Sequence, residues 1–371
     1  MSIFVSAGDY SGDTYGGLLI NAIKKERPDT TVNAIGGDHI RSAADFFLYD
    51  LVGVSLMGFL EPVKNIFLMK RLLSKASQTL AEKKISLLIV IDYYGFNIHL
   101  ARNAAKLDIP VIYFVSPQIW ATRYYRIHQI KKCIKKMFVI FPFEEAIYRK
   151  EGVPVEYIGH PLLQLIPEKK DGYNKNVEKI TIGLMPGSRI GELNQHLPVL
   201  LETAKMLKDV FPNIGFQLFL SANSSDSMIN HLIKNCRIDI EQVREKHYEK
   251  RSELTLAWSC SGTATIENAF LGIPTISFYR TKIINYFIAK MMVKVKYIAM
   301  PNIIADKKIM PELIQGNFNQ RNLLNTTLEY LNNPEKLTQM KKDFSGIKKL
   351  FGAGDIYGNL AKKIVKEISI N

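Results

Sequence analysis

Cysteine is scarce in this 371-residue chain. Its three residues, Cys133, Cys236 and Cys260, stand far apart with no CxxC spacing. A disulfide framework or a structural zinc site is not expected, and a reducing compartment fits. No apolar run approaches the ~18 residues that a membrane-spanning helix needs; the longest clear one, Ile85 to Ile91, has strand length. No Lys or Arg precedes Lys24, and no small-residue cleavage site follows an apolar stretch, so no signal peptide is expected. HExxH, DxD and clustered His/Cys sets are all missing, which predicts no metal site. Without a GxSxG elbow, a serine nucleophile is not expected either. Acidic residues are outnumbered, 35 against 49 basic ones, and the net charge of +14 is spread along the chain. That balance favours anionic partners: nucleic acid, phosphorylated substrates or an anionic membrane surface.

What remains is ordinary globular composition, 47% hydrophobic and 23% charged, which argues against long disorder or coiled coil. Apolar β-rich runs alternate with helical patterns, the signature of α/β architecture with parallel sheets. Strands are predicted at Ile3–Ala7, Val32–Ile35, Leu87–Ile91, Val111–Val115, Met137–Phe141 and Val155–Ile158. A second series follows at Ile180–Met185, Phe216–Leu220, Leu254–Ala257 and Thr275–Phe278, with helices over about 192–209, 225–235 and 263–271. The polar stretch 168–179 reads as a linker. The expected plan is two Rossmann-like doubly wound parallel-sheet domains, 1–167 and 180–371, the second ending in a helical tail from about Pro311 with a break near Gly352–Asp355. A ligand would then lie in a cleft between the domains, at the C-terminal ends of both sheets.

Four motifs carry chemistry. Gly8-Asp9-Tyr10-Ser11-Gly12-Asp13 follows the first strand and opens a helix, where glycines permit a tight turn and free amides can meet an anion or a sugar hydroxyl. It is not GxGxxG, and a plain strand–helix turn with Asp13 as cap explains it equally well. Pro186-Gly187-Ser188-Arg189 repeats the strand-to-helix placement and offers backbone N–H groups, a hydroxyl and a forked cation to phosphate. In Ser261-Gly262-Thr263-Ala264-Thr265-Ile266-Glu267, small hydroxyl residues surround a helix start, a seat for a diphosphate, with Glu267 placed to accept from a ribose diol or to serve a capping box. Two such loops in one domain point to a nucleotide diphosphate there. Asp92, ending the strand of Ile91-Asp92-Tyr93-Tyr94-Gly95-Phe96-Asn97, is either a proton acceptor for an attacking hydroxyl or a helix cap. His160, alone in Gly159-His160-Pro161, reads as structural.

Together GDYSGD, SLMG (Ser55–Gly58), IDYYGFN, VSPQIWATR, PFE (Pro142–Glu144), IGHP, PGSR, SGTATIE and PNI (Pro301–Ile303) occur in this order, and the chain resembles the lipid-A-disaccharide synthase family. The resemblance implies the GT-B fold and an inverting transfer of 2,3-diacylglucosamine from UDP-2,3-diacylglucosamine to 2,3-diacylglucosamine 1-phosphate (lipid X), without a cofactor beyond the donor itself. It implies UDP binding by Gly187, Ser188, Arg189, Ser261, Gly262, Thr263 and Glu267, with Asn302 as a further site residue. Asp92 becomes the candidate general base, with Asp9 and Asp13 next in line. The family's first Gly-Glu pair is Gly8-Asp9 here, its Ala-Pro-Asp is Tyr93-Tyr94-Gly95, and its Trp-Ala-Trp-Arg is Trp120-Ala121-Thr122-Arg123.

A cytoplasmic enzyme peripheral on the inner membrane of a Gram-negative-type bacterium is the expected setting, and a homodimer is compatible with it. In the segment 60–76, Ile66, Met69, Leu73 and Ala76 form a stripe expected to pack on the sheet. Phe67, Leu68 and Leu72, flanked by Lys64, Lys70, Arg71 and Lys75, are expected to meet the membrane surface or to widen the core face. Two rivals stand beside this reading. One is a UDP-N-acetylglucosamine 2-epimerase of the same architecture. The other is a nucleic-acid-binding protein built on the basic segment Arg123–Lys136, where a solvated or phospholipid-facing helix fits equally well, so nucleic acid is not the expected partner.

Overall fold

The central strand Leu87–Ile91 is apolar and buried at every position, as a parallel sheet covered on both faces favours. The computed structural model describes all residues except 54–61, 168–179, 221–228, 231–232, 235, 237, 245–247, 284–285, 288–289, 291–294, 353 and 370–371. The expected linker 168–179, the SLMG stretch and most of the helix expected over 225–235 therefore lie outside the described residues, as does the side chain of Lys64.

The chain forms two compact units. The first holds Met1–Gln164 and the segment after Gly352; the second holds Leu165–Gly352. In the first, β1 (Ser2–Ala7), β2 (Thr31–Gly36), β3 (Phe46–Asp50), β4 (Leu87–Ile91), β5 (Val111–Phe114), β6 (Lys136–Val139) and β7 (Val155–Tyr157) form a seven-stranded sheet. Its order is β3-β2-β1-β4-β5-β6-β7, and each pairing is parallel. In the second, β8 (Thr181–Met185), β9 (Gly215–Leu220), β10 (Glu241–Arg244), β11 (Leu256–Cys260), β12 (Thr275–Tyr279) and β13 (Glu312–Ile314) form a parallel six-stranded sheet ordered β10-β9-β8-β11-β12-β13.

Both orders reverse direction once. The switch falls between β1 and β4, with Ala7 beside Ile91, and between β8 and β11, with Met185 beside Ser259. The crossovers leave these two positions toward opposite ends of the sheet, which opens a crevice at the C-terminal strand ends. Each expected motif loop, Gly8–Asp13, Asp92–Asn97, Gly187–Arg189 and Ser261–Thr263, begins at one of these four strand ends.

Three expectations are corrected. The tail does not begin as helix: Glu312–Ile314 is an edge strand, and helices follow at Gln320–Leu331 and Pro334–Leu350. The last helix, Ile356–Ser369, does not belong to the second unit. It packs on the helix Tyr10–Glu26 of the first, burying Leu360, Ala361 and Ile364. Lys363 bridges Glu156, and Lys135 reaches Glu367 at 3.6 Å. In the helix Pro62–Glu82 the inward row is Leu72, Ala76 and Leu80, with Leu68, Met69 and Leu73 partly buried beside it. Leu72 is thus core, while Ile66 and Phe67 stand exposed at 55% and 69%. The i, i+4 spacing of the three inward residues sets the face, rotated from the expected stripe.

Because Leu360 has no solvent contact, Leu360→Ala should cost ~2–5 kcal/mol, and the loss should fall on the first unit. Trp120 lies in that unit and Trp258 in the other. In a Trp258→Phe background, denaturant unfolding followed by Trp120 fluorescence should show the drop; an unchanged midpoint would contradict the placement of this helix.

Candidate functional site

At the switch point of the first unit the loops after β1 and β4 touch. A side chain at Gly8 would collide with the Tyr93 ring, so only glycine lets the two loops approach. Asp9 is the N-cap of Tyr10–Glu26, its Oδ1 accepting from Gly12 N at 2.6 Å. Asp92 and Tyr93 both hold left-handed backbone, φ +43° and +41°, a conformation costing a residue with a Cβ ~1–2 kcal/mol. Asn97 stabilises it: its Nδ2 donates to Ile91 O at 3.0 Å and to Asp92 O at 2.9 Å, and its Oδ1 accepts from Ser6 Oγ at 2.6 Å. Tyr113 Oη adds a 2.6 Å bond to Asp92 O. With its backbone fixed this way, the half-buried Asp92 carboxyl meets that of Asp9. Burial first, then the charge of Asp9 and the hydrogen bond between the two carboxyls, raise Asp92 well above the usual carboxylate range.

Asp13 takes a different part. Its buried carboxylate accepts from Gly37 N (2.7 Å), Ile40 N (3.0 Å) and His39 N (3.0 Å), capping the helix Asp38–Ala43. The expectation of Asp13 as a base is therefore corrected, since three backbone amides occupy it. Glu144, the last residue of the PFE stretch, is a further site residue that no local sequence pattern marks. Glu144 is buried and accepts from Ser116 Oγ (2.8 Å), Trp120 Nε1 (3.0 Å) and Phe141 N (3.2 Å), fastening the loop after β5 to the start of Pro142–Lys150. Burial outweighs these bonds and raises its carboxyl to about 7. Val115, at the head of that loop, is another left-handed residue, φ +61°, and for a β-branched side chain this is an outlier. His160 is buried, its basicity pushed down to about 3 by desolvation, in keeping with a structural role.

In the second unit, Gly187 has φ +107°, and a Cβ there would strike the Glu192 carboxylate, so glycine is required. Ser188 and Arg189 are exposed at the start of the 21-residue helix Ile190–Val210. Arg189 pairs with Glu192 at 3.0 Å, an exposed contact worth ~0–1 kcal/mol and so easily broken. Beneath the loop lies buried His196. Its Nε2 accepts from Arg280 N (3.1 Å), which leaves Nδ1–H to donate to Pro186 O (2.7 Å). This buried histidine ties the loops after β8 and β12 together, and no sequence signal marked it. Gly262 and Thr263 are exposed at the start of Thr263–Leu271, while Ser261 Oγ donates to Ile298 O at 2.8 Å.

Two expected ligand contacts are corrected. Glu267 is buried, its oxygens held by Arg251 Nη1 at 2.6 Å and Tyr248 Oη at 3.2 Å. It forms neither the capping box nor an open acceptor. Asn302 is fully buried and spends its amide on the chain: Nδ2 to Met310 O and Glu312 Oε1, Oδ1 from Ile309 N and Met310 N. It staples the turn between Met300–Ala305 and β13. A surface cavity of about 670 Å³, lined in part by Ile85, Pro110, Lys132 and Lys135, opens at the opposite end of β4 and β5 and holds none of these residues. Among the described residues no group of three or more His, Cys, Asp or Glu is placed to hold a metal ion.

Comparison with known proteins gives this geometry a context. A family model described as lipid-A-disaccharide synthetase matches residues 3–364. A lipid-A-disaccharide synthase of Nitrosococcus oceani is 33% identical over 377 residues, covering 99% of this chain and 95% of its own. One from Syntrophus aciditrophicus is 34% identical over 361 residues, covering 94% and 93%. Among solved structures, UDP-GlcNAc 2-epimerase of Neisseria meningitidis bound to UDP-GlcNAc aligns with TM-score 0.64 at 13% identity over 100% of both chains. MurG of Acinetobacter baumannii aligns with TM-score 0.56 at 15% identity, over 100% of this chain and 99% of its own. At such identities the structural likeness is one of fold.

The Glu144 carboxyl is raised from 4.5 to about 7, so between those values the folded protein holds a proton that the unfolded chain releases. Its contribution to stability is complete below about pH 4.5 and lost as pH rises through about 7. Glu144→Gln should flatten the fall in stability from acid to alkaline pH by on the order of 3 kcal/mol. Denaturant midpoints across the pH range check the slope; an unaltered slope would show that Glu144 is not the titrating group.

Proposed function

Since the chain belongs to the lipid-A-disaccharide synthase family, we propose that it transfers 2,3-diacylglucosamine from UDP-2,3-diacylglucosamine to the 6-hydroxyl of lipid X, giving a β-1,6-linked disaccharide 1-phosphate and UDP. It is a glycosyltransferase of GT-B fold that forms the lipid A disaccharide. The epimerase alternative keeps only the fold likeness, because the family match lies with the synthases.

The observation that supports the chemistry is the Asp92 turn. An inverting transfer is a single displacement. The acceptor oxygen forms its bond to C1 of the donor sugar, the C1–O bond to UDP breaks, and the leaving diphosphate keeps the electron pair. The acceptor proton goes to Asp92, whose raised basicity suits it to receive that proton. Asp9 supplies part of that basicity. On the second unit, the helix starts at Ile190 and Thr263 point free amides and a positive dipole end outward, with Ser188, Gly262 and Thr263 exposed and Gly187 half-buried around them. Arg189 leaves Glu192 for the diphosphate, and this cation and these amides stabilise the charge that develops on UDP. Glu267 and Asn302 act from below by fixing the loops. No cofactor enters, since the UDP-sugar is itself the donor substrate.

The setting is an anionic membrane surface, where both lipid substrates reside. Among the described residues no helix is long and apolar enough to cross a membrane. Exposed Ile66 and Phe67 lie beside Lys70 and Arg71, also exposed, a pairing suited to an interfacial contact.

Asp92→Asn keeps shape but takes no proton, so kcat should fall ~10²–10⁴-fold with UDP affinity nearly unchanged. Turnover within a few-fold of wild type would remove Asp92 from the base role. Asp9→Asn deletes a neighbouring negative charge, so the acid limb of the rate profile, set by deprotonation of Asp92, should move to lower pH. A limb that stays in place would mean that the pair is uncoupled. Arg189→Ala should weaken UDP binding by ~10- to 150-fold, the worth of one charge-assisted contact, and calorimetry with UDP decides it.

A further inference from the structure

The basic segment Arg123-Tyr124-Tyr125-Arg126 has no part in the reaction as described. Tyr124–Arg126 form one 3-10 turn after the β5 loop, just before the helix Ile127–Cys133. Arg123, exposed at the head of the turn, holds φ +54°, a conformation disfavoured for any residue with a Cβ and concentrated at functional positions. The turn is anchored on several sides. Arg126 N donates to Arg123 O at 3.0 Å, and Tyr124 Oη to Glu151 Oε1 at 2.7 Å. The Arg126 guanidinium lies 4.2 Å over the centre of the Tyr94 ring, and Tyr94 Oη donates to Gln129 Oε1 at 3.1 Å.

This stack decides what the arginine can do. Held over the ring, the guanidinium keeps N–H donors for an oxyanion and gives up rotational freedom in advance. Among the described residues no carboxylate pairs with Arg123 or Arg126. Tyr94 comes two residues after Asp92 and opens the helix Tyr94–Ala105. One turn therefore carries both the carboxyl that takes the acceptor proton and the ring that orients Arg126. A phosphomonoester, carrying ~1.5–2 negative charges near neutral pH, matches two such forks better than a single cation.

We propose that Arg123 and Arg126 form a seat for a phosphomonoester, the anomeric phosphate of the acceptor sugar, beside the general base. This rests on the synthase reading above. Tyr125, 65% exposed between the two arginines, gives the sugar an apolar and hydrogen-bonding face. An anionic membrane headgroup offers related chemistry, but the coupling to the Asp92 turn favours the reacting acceptor.

The test compares lipid X with its dephosphorylated form, both in detergent micelles, by equilibrium binding and by steady-state rates. Arg126→Ala should weaken lipid X binding and raise its KM by ~10- to 150-fold, with the KM for the UDP-sugar unmoved. Affinity for the dephosphorylated acceptor should be equal in variant and wild type. Arg123→Gly relieves the left-handed strain, so it should lose lipid X affinity while its melting temperature stays or rises, which a purely structural arginine would not do. Equal losses on both acceptors, or unchanged lipid X binding, would overturn the proposal. It is also overturned if the variants lose only acceptor-free phosphatidylglycerol vesicles, or only a single-stranded oligonucleotide, while lipid X affinity holds. Should wild type bind lipid X in a phosphate- and Arg126-dependent way yet form no disaccharide, the seat stands and the synthase reading alone fails.

Discussion

The carboxyl groups of Asp9 and Asp92 meet at the ends of β1 and β4, where burial and the neighbouring Asp9 raise Asp92 above the usual carboxylate range. Much of the first unit's architecture serves that contact. Gly8 lacks a side chain where Tyr93 must pass, Asp92 and Tyr93 accept left-handed backbone, and Asn97 gives its whole amide to holding them. None of these features favours stability alone. A raised carboxyl means that the ionised form is poorly accommodated in the fold, and two strained residues add to the cost. The surrounding sheet, buried on both faces, supplies the surplus that makes such a turn tolerable.

The second unit solves a different problem with the same topology. In the proposed reaction its exposed loops present backbone amides to an anion without collapsing onto their own side chains. Gly187 leaves room for Glu192, which occupies Arg189 through a weak and exchangeable pair. His196 holds the loop from beneath through Pro186 and Arg280. The polar groups that look most like ligands, Glu267 and Asn302, are consumed in keeping the framework rigid. The donor seat proposed here would depend less on its exposed atoms than on the buried ones that stop them moving.

Most of this plan was legible in the sequence, for physical reasons. Strands such as Leu87–Ile91, buried on both faces, are written as unbroken apolar runs, and the loops between strand and helix carry their glycines and acids in order. Strand β10, Glu241–Arg244, was not legible because an edge strand with polar residues lacks that pattern. Strand β13 hid in a stretch read as helix for a similar reason. Asp92 stood out because it ends an apolar strand. The environment of Glu144 did not, since its partners Ser116 and Trp120 are 28 and 24 residues away and only the fold brings them together. The role of Asp13 was hidden likewise, its amide partners lying 24 to 27 residues further on.

The return of the helix Ile356–Ser369 to the helix Tyr10–Glu26 has a consequence for biosynthesis. The second unit is continuous in the chain, whereas the first is interrupted by it. On a ribosome adding roughly 5–20 residues per second, the seven-stranded sheet waits about ten to forty seconds for the helix that packs on Tyr10–Glu26. During that interval the apolar ground later occupied by Leu360, Ala361 and Ile364 is open to water and to chaperones. The unit whose chain emerges before the second is therefore completed after it.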